Sequence, residues 1–291
     1  MKTYPKDSLG NRMKQYEAVS KGVLVHRMPV IVRIDGKAFH TFTRGFDKPF
    51  DKVLMTAMQE TTKKLCESVQ GCVFGYTQSD EITLVLVDYK ELNTSAFFDN
   101  EIQKICSVCA SMATLFFNRA WDNQVTLYRN RKCSFTEADD DPLYAAYMKA
   151  STRGGMFDCR CFNVPKEDVA NNILWRQQDA TRNSIQMVGQ ANFSHTQLQN
   201  KNCNEIQDML HEQKGINWND FPVPCKRGTA FLKNDKGEWY PDNNMPIITQ
   251  DRAYIENLIY FNDKHEEVNL YNAKDVIPSC NDITHYQALL Y

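Results

Sequence analysis

The sequence predicts an α+β fold built on a split βαβ, ferredoxin-like antiparallel sheet. Three observations carry the prediction. Residues 30–34 are a continuous, largely β-branched run that ends at Asp35-Gly36. Residues 72–76 and 82–87 are two further strand-forming runs, divided by a short polar segment. Apolar residues at helical spacing lie between the first strand and this pair, and again after it. With one more strand following, the order β-α-β-β-α-β is the split βαβ unit, which sets the first strand beside the hairpin in mid-sheet.

Each element has its own warrant. The first strand is uninterrupted by polar alternation, as a buried strand requires. After a loop with Gly45 and Pro49, Val53, Leu54, Ala57, Met58, Thr61, Leu65 and Val69 recur at three and four. Asp51 is placed to cap that helix and Gly71 to close it. Cys72 to Tyr76 and Ile82 to Val87 form a hairpin through Thr77-Gln78-Ser79-Asp80-Glu81, a connection of about ordinary length. A second helix is expected from Asp99 to Ala120, with Ile102, Ile105, Val108, Cys109, Met112, Leu115 and Phe116 on its apolar side. Residues 122–150 are polar, acidic and contain Pro142, and are expected to form an irregular insertion. Met156 to Val164 is the fourth strand, ended by Pro165. These elements make a first domain of residues 1–165. Residues 166–291 are expected to form a helical and hairpin region packed on it. It would hold helices from Lys166 to Gly189 and from Ser194 to Gly215. A hairpin then runs from Lys226 to Lys233 and from Glu238 to Tyr240. The tail from Asn262 carries only scattered apolar residues.

Composition narrows the class. The chain has 291 residues, 42% hydrophobic and 24% charged, as in an ordinary folded protein. No run approaches the ~18 apolar residues of a membrane span. Met1 to Asp7 has no apolar signal core, so secretion is not expected, and a cytoplasmic location with reduced cysteines follows. Cys106 and Cys109 form a C-x-x-C among ten cysteines, and its apolar helical setting favours buried thiols over zinc. The net charge of −2 argues against a uniformly basic nucleic-acid coat. It leaves room for local basic patches offset by Glu137, Asp139, Asp140 and Asp141.

Two acidic strand ends carry the candidate chemistry. The first strand delivers Asp35, and the hairpin delivers Asp80 and Glu81. Carboxylates and a glycine carbonyl are hard-cation ligands, and Mg²⁺ at such a place serves phosphoryl or nucleotidyl transfer. Neighbouring residues alternate sides in extended chain, so Asp80 is expected to face Asp35 and Glu81 to play a supporting part. Gly36 lets a ligand approach the backbone, the following amides are candidates for a phosphate nest, and Lys37 or Lys48 would neutralise a triphosphate. Taken singly, Asp-Gly is a turn and Gln78-Ser79-Asp80-Glu81 a polar hairpin tip. Convergence of the two in one fold favours function. His40, after Phe39, is a weak candidate for stacking on a base. No Gly-x-Ser-x-Gly and no P-loop motif is present.

The stretch Arg33-Ile34-Asp35-Gly36-Lys37-Ala38-Phe39-His40-Thr41-Phe42 is followed by Lys48-Pro49 and Tyr76-Thr77-Gln78-Ser79-Asp80-Glu81. Further on come Phe157-Asp158-Cys159-Arg160, Trp175-Arg176-Gln177-Gln178-Asp179 and Lys226-Arg227-Gly228-Thr229. Together they resemble the tRNA-His guanylyltransferase family over roughly residues 7–232. The resemblance implies a polymerase palm-like catalytic domain and nucleotide addition to tRNA 5′ ends in the 3′-to-5′ direction. It implies two Mg²⁺ ions on Asp35, the Gly36 carbonyl and Asp80, with Glu81 beside them. The nucleoside triphosphate, GTP or another NTP, would lie along Asp35, Gly36, Lys37, Ala38, Phe39 and His40 with Ser79 and Asp80, and Lys48 and Lys104 match further basic positions. Arg160, Arg176, Asn183, Lys226 and Arg227 would face the RNA.

Eukaryotic members carry His-Ile-Asn-Asn-Leu-Tyr-Asn where this chain has Thr181-Arg182-Asn183-Ser184-Ile185-Gln186-Met187, so only Asn183 is retained. In this the chain is similar to the bacterial and archaeal branch, which implies template-dependent addition and repair of 5′-truncated tRNA, with ATP activating 5′-monophosphate ends. The resemblance also implies a homotetramer. A strict tRNA-His enzyme adding G at position −1, a nucleotide cyclase on the same fold, and a non-catalytic RNA-binding module are the alternatives.

Overall fold

The computed structural model describes residues 8–132 and 141–261. Met1 to Asp7, the acidic residues Glu137, Asp139 and Asp140, and the tail from Asn262 lie outside the described residues. Helix α1 (Ser8–Ala18) precedes strand β1 (Val30–Gly36), the short helix α2 (Phe39–Phe42) and helix α3 (Lys52–Ser68). Strands β2 (Cys72–Gln78) and β3 (Glu81–Leu86) form the hairpin, and helices α4 (Ile102–Lys132) and α5 (Pro142–Arg153) lead to β4 (Phe157–Asn163). Then come α6 (Lys166–Asn192), α7 (His195–Leu198), α8 (Cys203–Lys214), α9 (Val223–Arg227), β5 (Thr229–Lys233), β6 (Trp239–Asp242) and α10 (Ala253–Glu256).

The strands make one antiparallel sheet of six in the order β4-β1-β3-β2-β5-β6. Its first four strands have the expected split βαβ order. The C-terminal hairpin extends the same sheet, because β5 pairs with β2 through Tyr76↔Ala230. Strand alternation divides the residues between two faces. Val30, Val32 and Ile34 with Ile82, Leu84 and Leu86 join one core with Leu65 of α3 and Phe117 of α4. Ile31, Val85 and Phe74 join the other with Val169, Ala170 and Ile173 of α6. Each such aliphatic side chain contributes about 1.5–3 kcal/mol by burial. The sheet is thus held rigid from both sides, and its strand ends can carry chemistry.

Local signals explain the helix boundaries. Asp51 accepts from the Leu54 amide at 2.9 Å and starts α3 as expected. It also accepts from the Tyr147 hydroxyl at 2.7 Å, which ties α3 to α5. Most of residues 122–150 is not irregular. Helix α4 contains no Gly or Pro and continues to Lys132, because Trp121, Val125 and Tyr128 prolong its apolar stripe. Pro142 does not interrupt; it sits in the first turn of α5, where its missing amide costs nothing, behind the N-cap Asp141. The helix expected from Ser194 to Gly215 is two: Ser194 caps α7, and Asn202 caps α8 anew. Gly215 ends α8 in the left-handed region at φ 65°.

Candidate active site

The β2–β3 turn is tighter than the five residues expected. Gln78 pairs with Glu81, leaving Ser79-Asp80 as the turn, with Ser79 left-handed at φ 50°. The Gly36 amide donates to the Asp80 carbonyl at 3.0 Å, fastening the hairpin tip to the end of β1. The Lys37 amide donates to the Met156 carbonyl at 2.8 Å on the other side. Asp35 is therefore held between two acidic neighbours. Its register partners are Glu81 on β3 and Asp158 on β4. Directly paired residues share a sheet face, so Glu81 rather than Asp80 stands across from Asp35. Asp80 reaches the group from the turn, close enough for the Asp35 charge to act on it.

Electrostatics on this face are unbalanced. Burial raises the Asp80 carboxyl above its usual range; the Ser79 hydroxyl opposes this and the Asp35 charge adds to it. Burial raises Glu81 as well, opposed chiefly by the Arg176 guanidinium. Arg176 Nη1 donates to Glu81 Oε2 at 2.8 Å, while Glu81 Oε1 has no hydrogen-bond partner. Among the described residues no three His, Cys, Asp or Glu side chains already converge as a metal centre. The donor set nonetheless fits a hard cation: the Asp80 and Glu81 carboxylates, both raised in part by the Asp35 charge, an orphaned buried carboxylate oxygen, and the Gly36 carbonyl at the same strand end.

The turn after β1 is built around Phe39. Its ring packs on Phe42, Phe117 and Phe157 at centroid distances of 4.9, 5.3 and 5.1 Å. A Cβ at position 36 would lie 2.4 Å from that ring, which explains the glycine. The side chain of Phe39 is thus core and only its backbone reaches the turn. The amides of Gly36 and Lys37 are used by the protein, so the expected phosphate nest is confined to Ala38, Phe39 and His40. Ala38 is left-handed at φ 55° and precedes α2. Lys37 and His40 flank this turn in sequence and are exposed, as is Lys48 before α3.

The other candidates divide. Lys104 is not brought to the site. It lies in the first turn of α4, 3.6 Å from Glu101, near the Cys161 end of β4, whereas Asp35 is matched with Asp158. Arg176 does not present itself to RNA either: it is 6% exposed, bound to Glu81 and stacked 3.7 Å from the Trp175 ring. The burial follows from its place on the face of α6 that packs on the sheet. Arg160 is exposed and pairs with Asp158 at 2.9 Å. Asn183 lines a small cleft with Phe50, Leu54, Gln78, Ser79 and Met187. Lys226 donates to the Asn219 carbonyl and sits 5.5 Å from the Trp218 ring. The Arg227 carbonyl accepts from the Tyr76 hydroxyl at 2.6 Å, which docks the Lys226-Arg227 turn beside β2. Asp158 pairs with Asp35, and Arg33 lies over the Trp175 ring at 5.7 Å, although the sequence does not single these residues out for the site. Alternation in Phe157-Asp158-Cys159-Arg160-Cys161, polar on one face and apolar on the other, is the signal that marks Asp158.

Comparison with known proteins gives this site its context. A family model described as Thg1, tRNAHis guanylyltransferase, matches residues 10–165. The chain belongs to the tRNA(His) guanylyltransferase family, a family of nucleotidyltransferases. Among solved structures, it is similar to a bacterial tRNA(His) guanylyltransferase (Thg1)-like protein in complex with ATP. The TM-score is 0.74 and the identity 44%, over 88% of this chain and all of that one. The match to a bacterial Thg1-like protein in complex with GTP has a TM-score of 0.70 and 40% identity, with 88% of this chain and 100% of that one covered. The tRNA(His) guanylyltransferase of Schizosaccharomyces pombe is 24% identical over 262 residues, 85% of this chain and 89% of that protein. Among the described residues, no helix of this family member is long and apolar enough to cross a membrane.

Proposed function

We propose that the chain adds nucleotides to tRNA 5′ ends in the 3′-to-5′ direction, guided by a template base, and so repairs truncated ends. The observation that carries this is the fastening of the hairpin tip to β1, which sets Asp35, Gly36, Asp80 and Glu81 at one strand end. The bacterial relatives solved with ATP and with GTP support both nucleotides as substrates.

Asp35, Asp80 and the Gly36 carbonyl would hold two Mg²⁺ ions, with Glu81 beside them. When bound, the ions would neutralise phosphate charge and make the attacking hydroxyl more acidic. The chain's own contribution is position and charge. The backbone of Ala38 to His40 would seat the triphosphate, and Lys37 and Lys48 would balance its charge. An RNA 5′-monophosphate attacks the α-phosphorus of ATP and releases pyrophosphate, giving a 5′-adenylylated end. The 3′-hydroxyl of the incoming nucleotide then attacks the RNA 5′ phosphorus and releases AMP. An end that already carries a triphosphate releases pyrophosphate instead. No side-chain nucleophile takes part.

Templating is tested by sequencing products made on 5′-truncated tRNAs with each of the four bases at the opposing position. The added nucleotide should follow the opposing base. Addition of G regardless of it would favour the strict tRNA-His activity.

A further inference from the structure

Four cysteines meet on the sheet face opposite the carboxylates. Cys106 and Cys109 stand one turn apart on α4. Cys159 and Cys161 flank Arg160 on β4 and share the face that packs on α4. The C-x-x-C therefore has a second thiol pair beside it, contributed by a strand more than forty residues further on. Cys106 Sγ lies 3.6 Å from Cys161 Sγ, in van der Waals contact. Cys109 lies near enough to Cys159 to raise its thiol. All four are free thiols; Cys106 is half-buried, and Cys109 and Cys161 are buried.

We propose that Cys106 and Cys161 form an oxidation site, closing into a reversible disulfide that ties α4 to β4. Cys106 is the entry point, being the less buried member of the pair that already touches. Its thiolate attacks one sulfur of a small disulfide such as oxidised glutathione, and one glutathione leaves as thiolate. Cys161, after losing its proton to solvent, attacks the Cys106 sulfur, and the second glutathione leaves. Two protein thiols are oxidised and one glutathione disulfide is reduced to two glutathiones. Closure needs the sulfurs to approach by about 1.6 Å. Burial, then the Cys106 thiol, pushes the Cys161 thiol up to about 12, so the second step is slow and the mixed disulfide on Cys106 forms first. The tie fixes the edge strand whose Asp158 stands opposite Asp35.

The test uses the full chain, freed of reductant and incubated with oxidised glutathione, with non-reducing peptide mapping over time. Glutathione should appear on Cys106 and give way to a Cys106–Cys161 cross-link, while Cys109 and Cys159 stay alkylatable after denaturation. The cross-linked protein should melt roughly 5 °C higher, reversed by dithiothreitol. Cys161→Ala should stop at the mixed disulfide and Cys106→Ser should show neither product. Should a variant not fold, the wild-type map decides alone. Modification of Cys203 with Cys106 untouched would overturn the proposal. So would a cross-link between other cysteines, or a stoichiometric zinc that protects all four thiols.

Discussion

Arg176 Nη1 lies 2.8 Å from Glu81 Oε2, and the two side chains are only 7% and 12% exposed. This ion pair joins α6 to the start of β3, next to Asp35. A buried charge left without its partner costs far more than the pair contributes. Arg176 therefore positions Glu81 and the hairpin end.

Arg176→Ala should destabilise the fold by about 3–5 kcal/mol, read by urea denaturation. Arg176→Ala combined with Glu81→Gln should recover part of that loss, because the uncompensated carboxylate is gone. Equal instability of the single and double variants would show that the pair is not what Arg176 provides.

Gly36→Ala should disturb the turn after β1. The new methyl would meet the Phe39 ring at 2.4 Å, and that ring is wedged among Phe42, Phe117 and Phe157. Overpacking of this kind costs about 1–3 kcal/mol. Nucleotide addition should fall at least tenfold, and a wild-type rate would mean the turn has room the structure does not show.

The carboxylates give a pH signature. Burial raises both Asp80 and Glu81. A carboxyl with a raised folded pKa contributes stability that is fully present below its unfolded value, about 4, and is lost as pH rises through the folded value. Without divalent cation, the wild type should lose melting temperature over that window relative to Asp80→Asn. Mg²⁺ favours the charged carboxylates, so it should raise the wild-type melting temperature more near pH 7 than near pH 4. The same shift at both values would contradict the metal assignment.

Arg160 is exposed beside the carboxylate group and free to swing from Asp158 to a phosphate. Arg160→Ala should lower the log–log salt slope of tRNA binding by about 0.7–0.9, the share of one phosphate contact. An unchanged slope would remove it from the RNA surface.

Much of this was legible in the sequence where one residue type forces one outcome. The run of residues 30–34, the helical spacing from Val53 to Val69 and the hairpin strands lie where expected, because burial on one or both sides left them no other pattern. That the end of β1 lies beside the hairpin tip followed from strand order alone. What escaped depended on partners distant in sequence. Glu81 stands across from Asp35 because the turn is two residues, and that rests on Ser79 taking a left-handed backbone, which serine seldom advertises. Phe39, which the resemblance sets along the triphosphate, has a core side chain, because Phe117 and Phe157 arrive from elements far along the chain. For Lys104 and Arg176 the resemblance carries residue identity but not which end of a helix or which face a residue occupies. The polar stretch after Ala120 stays helical because Val125 still finds the core.

The most direct measurement is 5′ extension of a truncated tRNA with ATP, GTP and Mg²⁺ by the wild type, Asp35→Ala and Asp80→Ala, with melting curves of each. The wild type should lengthen the RNA at its 5′ end, and both variants should melt cooperatively while their extension is abolished. Normal extension by either folded variant, or no 5′ growth by the wild type, would contradict the account.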